Sequence, residues 1–158
     1  MQVSYNQLAA NSRVWIYQAD RQLTDSEIAE ANQLLQKFST GWAAHGAPVH
    51  ANAEVFYKLF LVFFADIDAS SISGCSIDSS VQVVKALGDK YGIDFFNRLN
   101  VVCKTEDGLK VIHRSGLERE IELGSIRGDS LMFDNLIQTK EDFESVWEKP
   151  LSATWAAV

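Results

Sequence analysis

The chain has 158 residues, 47% of them hydrophobic and 22% charged, which suits one globular domain with an ordinary core. A net charge of −7 and a pI of about 4.9 exclude broad nucleic-acid binding, which needs a basic surface to neutralise phosphates. Two cysteines far apart in sequence do not make a disulfide scaffold. The longest apolar stretch, residues 59–65, falls well short of the ~20 residues of a membrane helix, and the first eleven residues lack the basic start and apolar core of a signal peptide. The expectation is a cytoplasmic protein with reduced thiols, no membrane insertion and no nucleic-acid partner.

Residues 1–12 are polar and read as a loosely ordered N-terminus. Arg13-Val14-Trp15-Ile16-Tyr17-Gln18 is aromatic and β-branched, the composition of a strand. Thr24-Asp25-Ser26-Glu27 fits a capping box that starts a helix. Ile28, Ala31, Leu34, Leu35 and Phe38 then share one helical face, and Gly41 is a stop. Residues 42–49 form a connector. The apolar run 54–64 reads as two antiparallel strands with a tight turn near Lys58, although no Gly or Asn marks that turn; one long strand is the alternative. Residues 66–74 are a small, acidic loop. A second helix follows with Ser76 as N-cap, Ile77, Val81, Val84, Leu87 and Tyr91 on one stripe, and Gly92 at its end. A strand over 99–104 comes next.

This order, strand-helix-strand-strand-helix-strand, predicts an α+β fold, a ferredoxin-like βαββαβ sandwich with an antiparallel sheet and a C-terminal β/α extension. In the extension, Glu106-Asp107-Gly108 signals a hairpin whose second strand covers 109–114. Residues 118–123 suit a strand or a helix, with Glu118, Glu120 and Glu122 as the solvated face of a strand in the simpler reading. Residues 131–133 suggest a short strand. Thr139 caps a last helix over 140–148 with Phe143, Val146 and Trp147 inward, and Pro150 stops it. The expected organisation is a single domain over 13–150 and a tail, 151–158, that Trp155 pins.

The sharpest chemical lead is Ser73-Gly74-Cys75-Ser76-Ile77-Asp78-Ser79-Ser80, which puts a cysteine just before a helix start. Free N–H groups and partial positive charge at such an end lower a thiol's pKa and favour anions. Cys75 is therefore the candidate nucleophile, with His45 as its base and His50 and His113 as other histidines to weigh. Gly74, Ser76, Asp78 and Ser79 are the candidate ligand-binding residues. Asp66, Asp68 and Asp78 oppose both thiolate formation and phosphate binding. A small, half-buried residue at a tight turn into a helix is the simpler account of Cys75, since free cysteines commonly behave as small hydrophobes. No metal-ligand spacing occurs, so neither a metal nor a cofactor is expected. Arg127-Gly128-Asp129 reads as a turn, and the four tryptophans read as core.

Val14-Trp15-Ile16-Tyr17-Gln18, Trp42-x-x-His45-Gly46, Gly74-Cys75-Ser76-Ile77-Asp78-Ser79-Ser80-Val81 and Phe133-Asp134-Asn135 together resemble a small family of bacterial proteins of about this length. Some of its members carry the label "ABC transporter ATPase". The chain has no Walker A lysine loop and no Leu-Ser-Gly-Gly-Gln signature, so the resemblance does not bring ATP hydrolysis with it. The functional expectation is a module binding a small molecule or a protein partner, with a homodimer through the apolar sheet as one form. The alternative is a thiol-dependent enzyme or redox sensor at Cys75.

Overall fold

The computed structural model describes residues 1–44, 46–66 and 74–157. The fold class is α+β, with a three-stranded and a four-stranded antiparallel sheet and, among the described residues, four α-helices. The contacts group the chain into two compact units, Met1–Phe96 with Gln138–Glu141, and Asn97–Ile137 with Asp142–Val158. No helix among the described residues is long and apolar enough to cross a membrane.

The first unit runs β1 (Arg13–Gln18), α1 (Asp25–Gly41), a small hairpin of β2 (Ala43–Ala44) and β3 (Ala47–Pro48), β4 (His50–Phe56), β5 (Phe60–Asp66) and α2 (Gly74–Tyr91). The capping box is present: the Glu27 amide donates to Thr24 Oγ1 at 3.2 Å, and the Thr24 amide donates to Glu27 at 2.9 Å. On α1 the buried stripe is Ala31, Leu35 and Ser39, four residues apart, while Leu34 stays exposed at its edge. Ser39 tolerates burial because its hydroxyl donates to Leu35 O at 2.9 Å. Helix α2 ends as expected at Gly92, whose φ of +65° lets the Ile93 amide reach back to Gly88 O at 3.0 Å.

The sheet order is β1-β5-β4. A central position explains the apolarity of residues 60–65, each with no exposure within the single chain, without a subunit contact. This order matches the first three strands of the expected ferredoxin-like sandwich. The strand expected to complete it, Asn100–Thr105, lies instead in the second sheet beside its own hairpin partner. Local pairing across a two-residue turn costs less chain entropy than a return to β1. The edge of β1 is met by another segment: the Val14 amide donates to Gln138 O at 3.0 Å, and Arg13 bridges Thr139.

The outer edge of β4 is covered too. Ala51 pairs with the N-terminal residues, its amide donating to Met1 O and its carbonyl accepting from Val3, both at 3.0 Å. Further along, Gln36 Nε2 donates to Ala53 O and the Val55 amide donates to Asn32 Oδ1, both at 2.9 Å. Side chains from α1 thus occupy backbone groups that would otherwise template another strand. Residues 1–12, expected to be loose, are held by these bonds and by Lys140, whose Nζ donates to Tyr5 O and Leu8 O at 3.0 and 2.9 Å.

The β4–β5 turn falls where expected, and its chemistry explains why the sequence signal is weak. Tyr57 and Lys58 have φ of +54° and +61°, a region that favours Gly and Asn, and the Leu59 amide closes the turn on Phe56 O at 3.1 Å. Giving this turn the ordinary asparagine-glycine chemistry, through Tyr57→Asn combined with Lys58→Gly, relieves the strain. The expected gain is about 1 kcal/mol, read as a melting temperature higher by roughly 2–4 °C. An unchanged or lower value would show that the turn carries no strain.

The second unit contains β6 (Asn100–Thr105), β7 (Gly108–His113), α3 (Leu117–Glu122), β8 (Leu131–Phe133), the greater part of α4 (Lys140–Ser145) and β9 (Glu148–Pro150), with sheet order β7-β6-β8-β9. The hairpin at Glu106-Asp107-Gly108 forms as read, with Gly108 at φ +108°. Residues 118–122 are helical, so the three glutamates do not line a strand. The last helix is shorter than expected. It ends at Ser145, and Glu148–Pro150 instead pairs with β8, which leaves Val146 exposed while Phe143 and Trp147 are buried. Proline is tolerated at this strand's end. The tail is pinned by Leu151 and Ala156 in a core with Val101, Cys103, Ile112, Leu117, Ile126 and Met132, not by Trp155, which is 44% exposed.

Candidate functional site

Of the candidate residues, Gly74, Asp78 and Ser79 are described at the start of α2. At the opposite end, α2's C-terminus meets α1's N-terminus: Tyr91 Oη donates to Glu30 at 2.7 Å, Lys90 pairs with Glu30 at 2.7 Å, and Arg21 donates to Tyr91 O at 2.7 Å. Arg21 also grips Glu27 through two bonds of 2.9 and 3.0 Å. With the Thr24 amide, it holds the Glu27 carboxyl down to about 2.

Because α1 and α2 pack against each other, this clasp makes them antiparallel, and α1's C-terminus lies at α2's N-terminal end. The β2–β3 hairpin follows α1 directly, and β2 packs against α2. Trp42, Val49, Ala51 and Ala65, with Trp15 and Phe38, form one apolar cluster that anchors the hairpin to the start of β4 and the end of β5. His50 and Asp66 pair across those two strand ends.

Helix α2 begins at Gly74, so Cys75 and Ser76 belong to its first turn; Cys75 does not precede the helix, and Ser76 is not its N-cap. Earlier entry into the helix is consistent with Gly74, which carries no side chain to clash. Asp78 and Ser79 are exposed a little further along the helix. The first amides of an 18-residue helix have no intrahelical acceptor, so the first turn of α2 is rich in backbone donors. His45 and Asp68 lie outside the described residues, as do the side chains of Cys75 and Ser76. His50 is the described histidine at this end. Its position opposite Asp66 follows from the register of a hairpin whose turn has no sequence signature, so composition and spacing alone do not single it out.

The other leads have structural roles. His113, in the second unit, caps the short turn Arg114–Gly116: its Nδ1 accepts from the Ser115 amide at 3.2 Å and lies 2.7 Å from Ser115 Oγ. Cys103 is fully buried, and burial pushes its thiol up to about 11. Glu120 pairs with Lys110 at 2.8 Å and with Ser125, and both hold its carboxyl below the usual range. Phe133-Asp134-Asn135 ties β8 to β9: Phe133 meets the Trp147 ring at 4.7 Å, Lys149 pairs with Asp134 at 2.7 Å, and Trp147 Nε1 donates to Asn135 at 3.0 Å. Arg127 and Asp129 pair with each other at 3.2 Å in an exposed turn. Among the described residues, no group of three or more His, Cys, Asp or Glu is placed to hold a metal ion.

Comparison of the chain with family models, with curated proteins and with solved structures finds no match in any of the three.

Proposed function

We propose that the chain is a binding module whose site is the first turn of α2, framed by the β2–β3 hairpin and the His50–Asp66 strand ends. The observation that supports this reading is the packing of β2 against α2 together with the clasp of the α2 C-terminus on the α1 N-terminus, an antiparallel arrangement that favours the hairpin lying near the start of α2. Gly74, Ser76, Asp78 and Ser79 are its contact residues, with the helix amides as donors. Asp66 and Asp78 disfavour a multiply charged anion there, so the fitting ligand is a small neutral or singly charged polar molecule, or a polar group of a partner protein. We read the first unit as a variant of the ferredoxin-like sandwich in a cytoplasmic protein. A homodimer through the β4 edge would have to displace the bonds from Asn32 and Gln36, so the α2 end is the better contact. A second reading, thiol chemistry at Cys75 with His45 as base, draws on the packing of the hairpin beside α2.

Iodoacetamide alkylation followed by intact mass from pH 5 to 10 tests both. Cys103 is silent over most of that range because it is buried and its thiol is raised, so the signal reports Cys75; Cys103→Ser serves as control. Alkylation with a midpoint near the free-thiol value of ~8.5 is the result expected of an open binding site. A midpoint at least one unit lower would favour the thiol reading. No reaction in the folded chain would close the α2 turn to ligands and overturn both.

A further inference from the structure

The face of the first sheet opposite α1 carries a buried acceptor, Asn52 Oδ1, and a half-buried carboxylate, Glu54, with no donor to either among the described residues. Asn52, Glu54 and Phe56 share that face of β4, and the register places Phe64, Val62 and Phe60 of β5 beside them. Asn52 is 5% exposed, and its Nδ2 donates to Val3 O at 2.8 Å, which fixes the amide's orientation. Its Oδ1 is fully buried with no partner among the described residues. Two residues on, Glu54 is half-buried, and no described residue supplies it with a cation or a hydrogen-bond donor. Burial alone raises its carboxyl above the usual range. Buried acceptors are nearly always satisfied in native folds; Asn52 Oδ1 is an exception, and the half-buried Glu54 carboxylate beside it adds a negative charge with no cation among the described residues, so the pair asks for a cationic donor from outside the chain.

We propose that Asn52 and Glu54 form a binding site for a small organic cation bearing an alkylammonium group. The donor count fits: an ammonium offers three N–H groups and no acceptor. Two side chains on one strand face start about 7 Å apart, a span that one nitrogen bridges with two hydrogen bonds of ~2.9 Å. The surroundings suit a carbon-bearing cation. Phe56 and Phe64 meet edge-to-face at 6.1 Å, and Phe64 meets Tyr5 at 5.3 Å. An ammonium already uses this ring group, since Lys140 Nζ lies 4.4 Å from the Tyr5 centroid. A divalent metal would require about six oxygen ligands, and the pair supplies far fewer. The site does not depend on the α2 reading, because it uses neither the first turn of α2 nor the β2–β3 hairpin, although His50 and Asp66 lie further along the same sheet face.

The test uses n-butylammonium chloride as probe, with sodium chloride at equal ionic strength as control, on the full ¹⁵N-labelled chain. The side-chain NH₂ signals of Asn52 are expected to shift saturably with n-butylammonium and not with sodium. Affinity should fall at least tenfold in Glu54→Gln, which keeps the shape of the side chain and removes the charge. Asn52→Ser should weaken binding in the same direction. A response equal to that of sodium chloride, or undiminished affinity in Glu54→Gln, would overturn the proposal. Measuring Cys75 alkylation on the same samples separates failure here from failure at α2.

Discussion

Phe63→Ala is expected to cost about 3–5 kcal/mol, the range for removing a buried aromatic ring that its neighbours cannot replace. Phe63 has no exposure, and its ring lies 5.7 Å from Phe38, 5.7 Å from Tyr17 and 6.3 Å from Trp42. It therefore joins β1, β5, α1 and the segment leading into the small hairpin. Collapse into the void would have to move all four, so little of the cavity can close. Thermal unfolding should shift down by roughly 10 °C. Leu34→Ala, on the same helix as Phe38 but 40% exposed, is the matched control and should change stability by about 0.5 kcal/mol or less. A loss at Phe63 as small as that of the control would mean that the ring is not central to the core. Because the cluster of Trp42, Val49, Ala51 and Ala65 borders it, the variant should also speed alkylation at Cys75 if the hairpin positions the α2 turn.

Lys140→Met should be the next most damaging single change, at about 2–4 kcal/mol for two charge-assisted bonds to carbonyls, one of them buried. Methionine keeps most of the stem's volume but leaves Leu8 O without the donor that Lys140 provides. Tyr5 O retains the Leu8 amide at 3.2 Å, so the damage concentrates at Leu8. Urea unfolding reads the stability. Amide hydrogen exchange over residues 5–12 reads the location, with protection expected to fall at least tenfold there before it falls in β5. Lys140→Arg should recover only part of the loss, since a planar fork does not match two converging carbonyls. Wild-type exchange rates in Lys140→Met would show that the N-terminal segment is held without the Lys140 side chain, by its bonds to Ala51 and Asn52 and by the backbone bonds to Ala10 and Ser12.

The elements best read from sequence are those with local causes. Thr24 and Glu27 define the start of α1 because the capping box closes within four residues, and Gly92 ends α2 because a left-handed residue is needed where the chain turns back. Gly108 marks its hairpin for the same reason. The run 54–64 resolves into two strands even though Tyr57 and Lys58 give no turn signal, because eleven residues of strand composition exceed what one strand of a small sheet holds. Readings that failed were those in which two local options were close in energy. Glu118, Glu120 and Glu122 alternate with Leu117, Arg119, Ile121 and Leu123 as on a strand, yet residues 117–122 form a helix, where Leu117 is buried and Glu120 reaches Lys110. Trp147 and Glu148 suit a helix by composition, yet residues 148–150 pair with β8 and end the helix at Ser145.

By itself the sequence determined most of the helices and strands up to residue 113, the burial of the β5 run, and the place of Cys75 near a helix start, because propensity, capping and apolar patterning act over a few residues. Partner choice among strands was decided only in three dimensions. The strand Asn100–Thr105 took its hairpin neighbour over β1, the edges of β1 and β4 were closed by Gln138, Asn32 and Gln36, and His50 came to face Asp66. Those outcomes compare the entropy of closing loops with hydrogen bonds between residues far apart in the chain, and no local pattern records that comparison. The same holds for Asn52 Oδ1, whose lack of a donor among the described residues becomes visible only once its neighbours have their places.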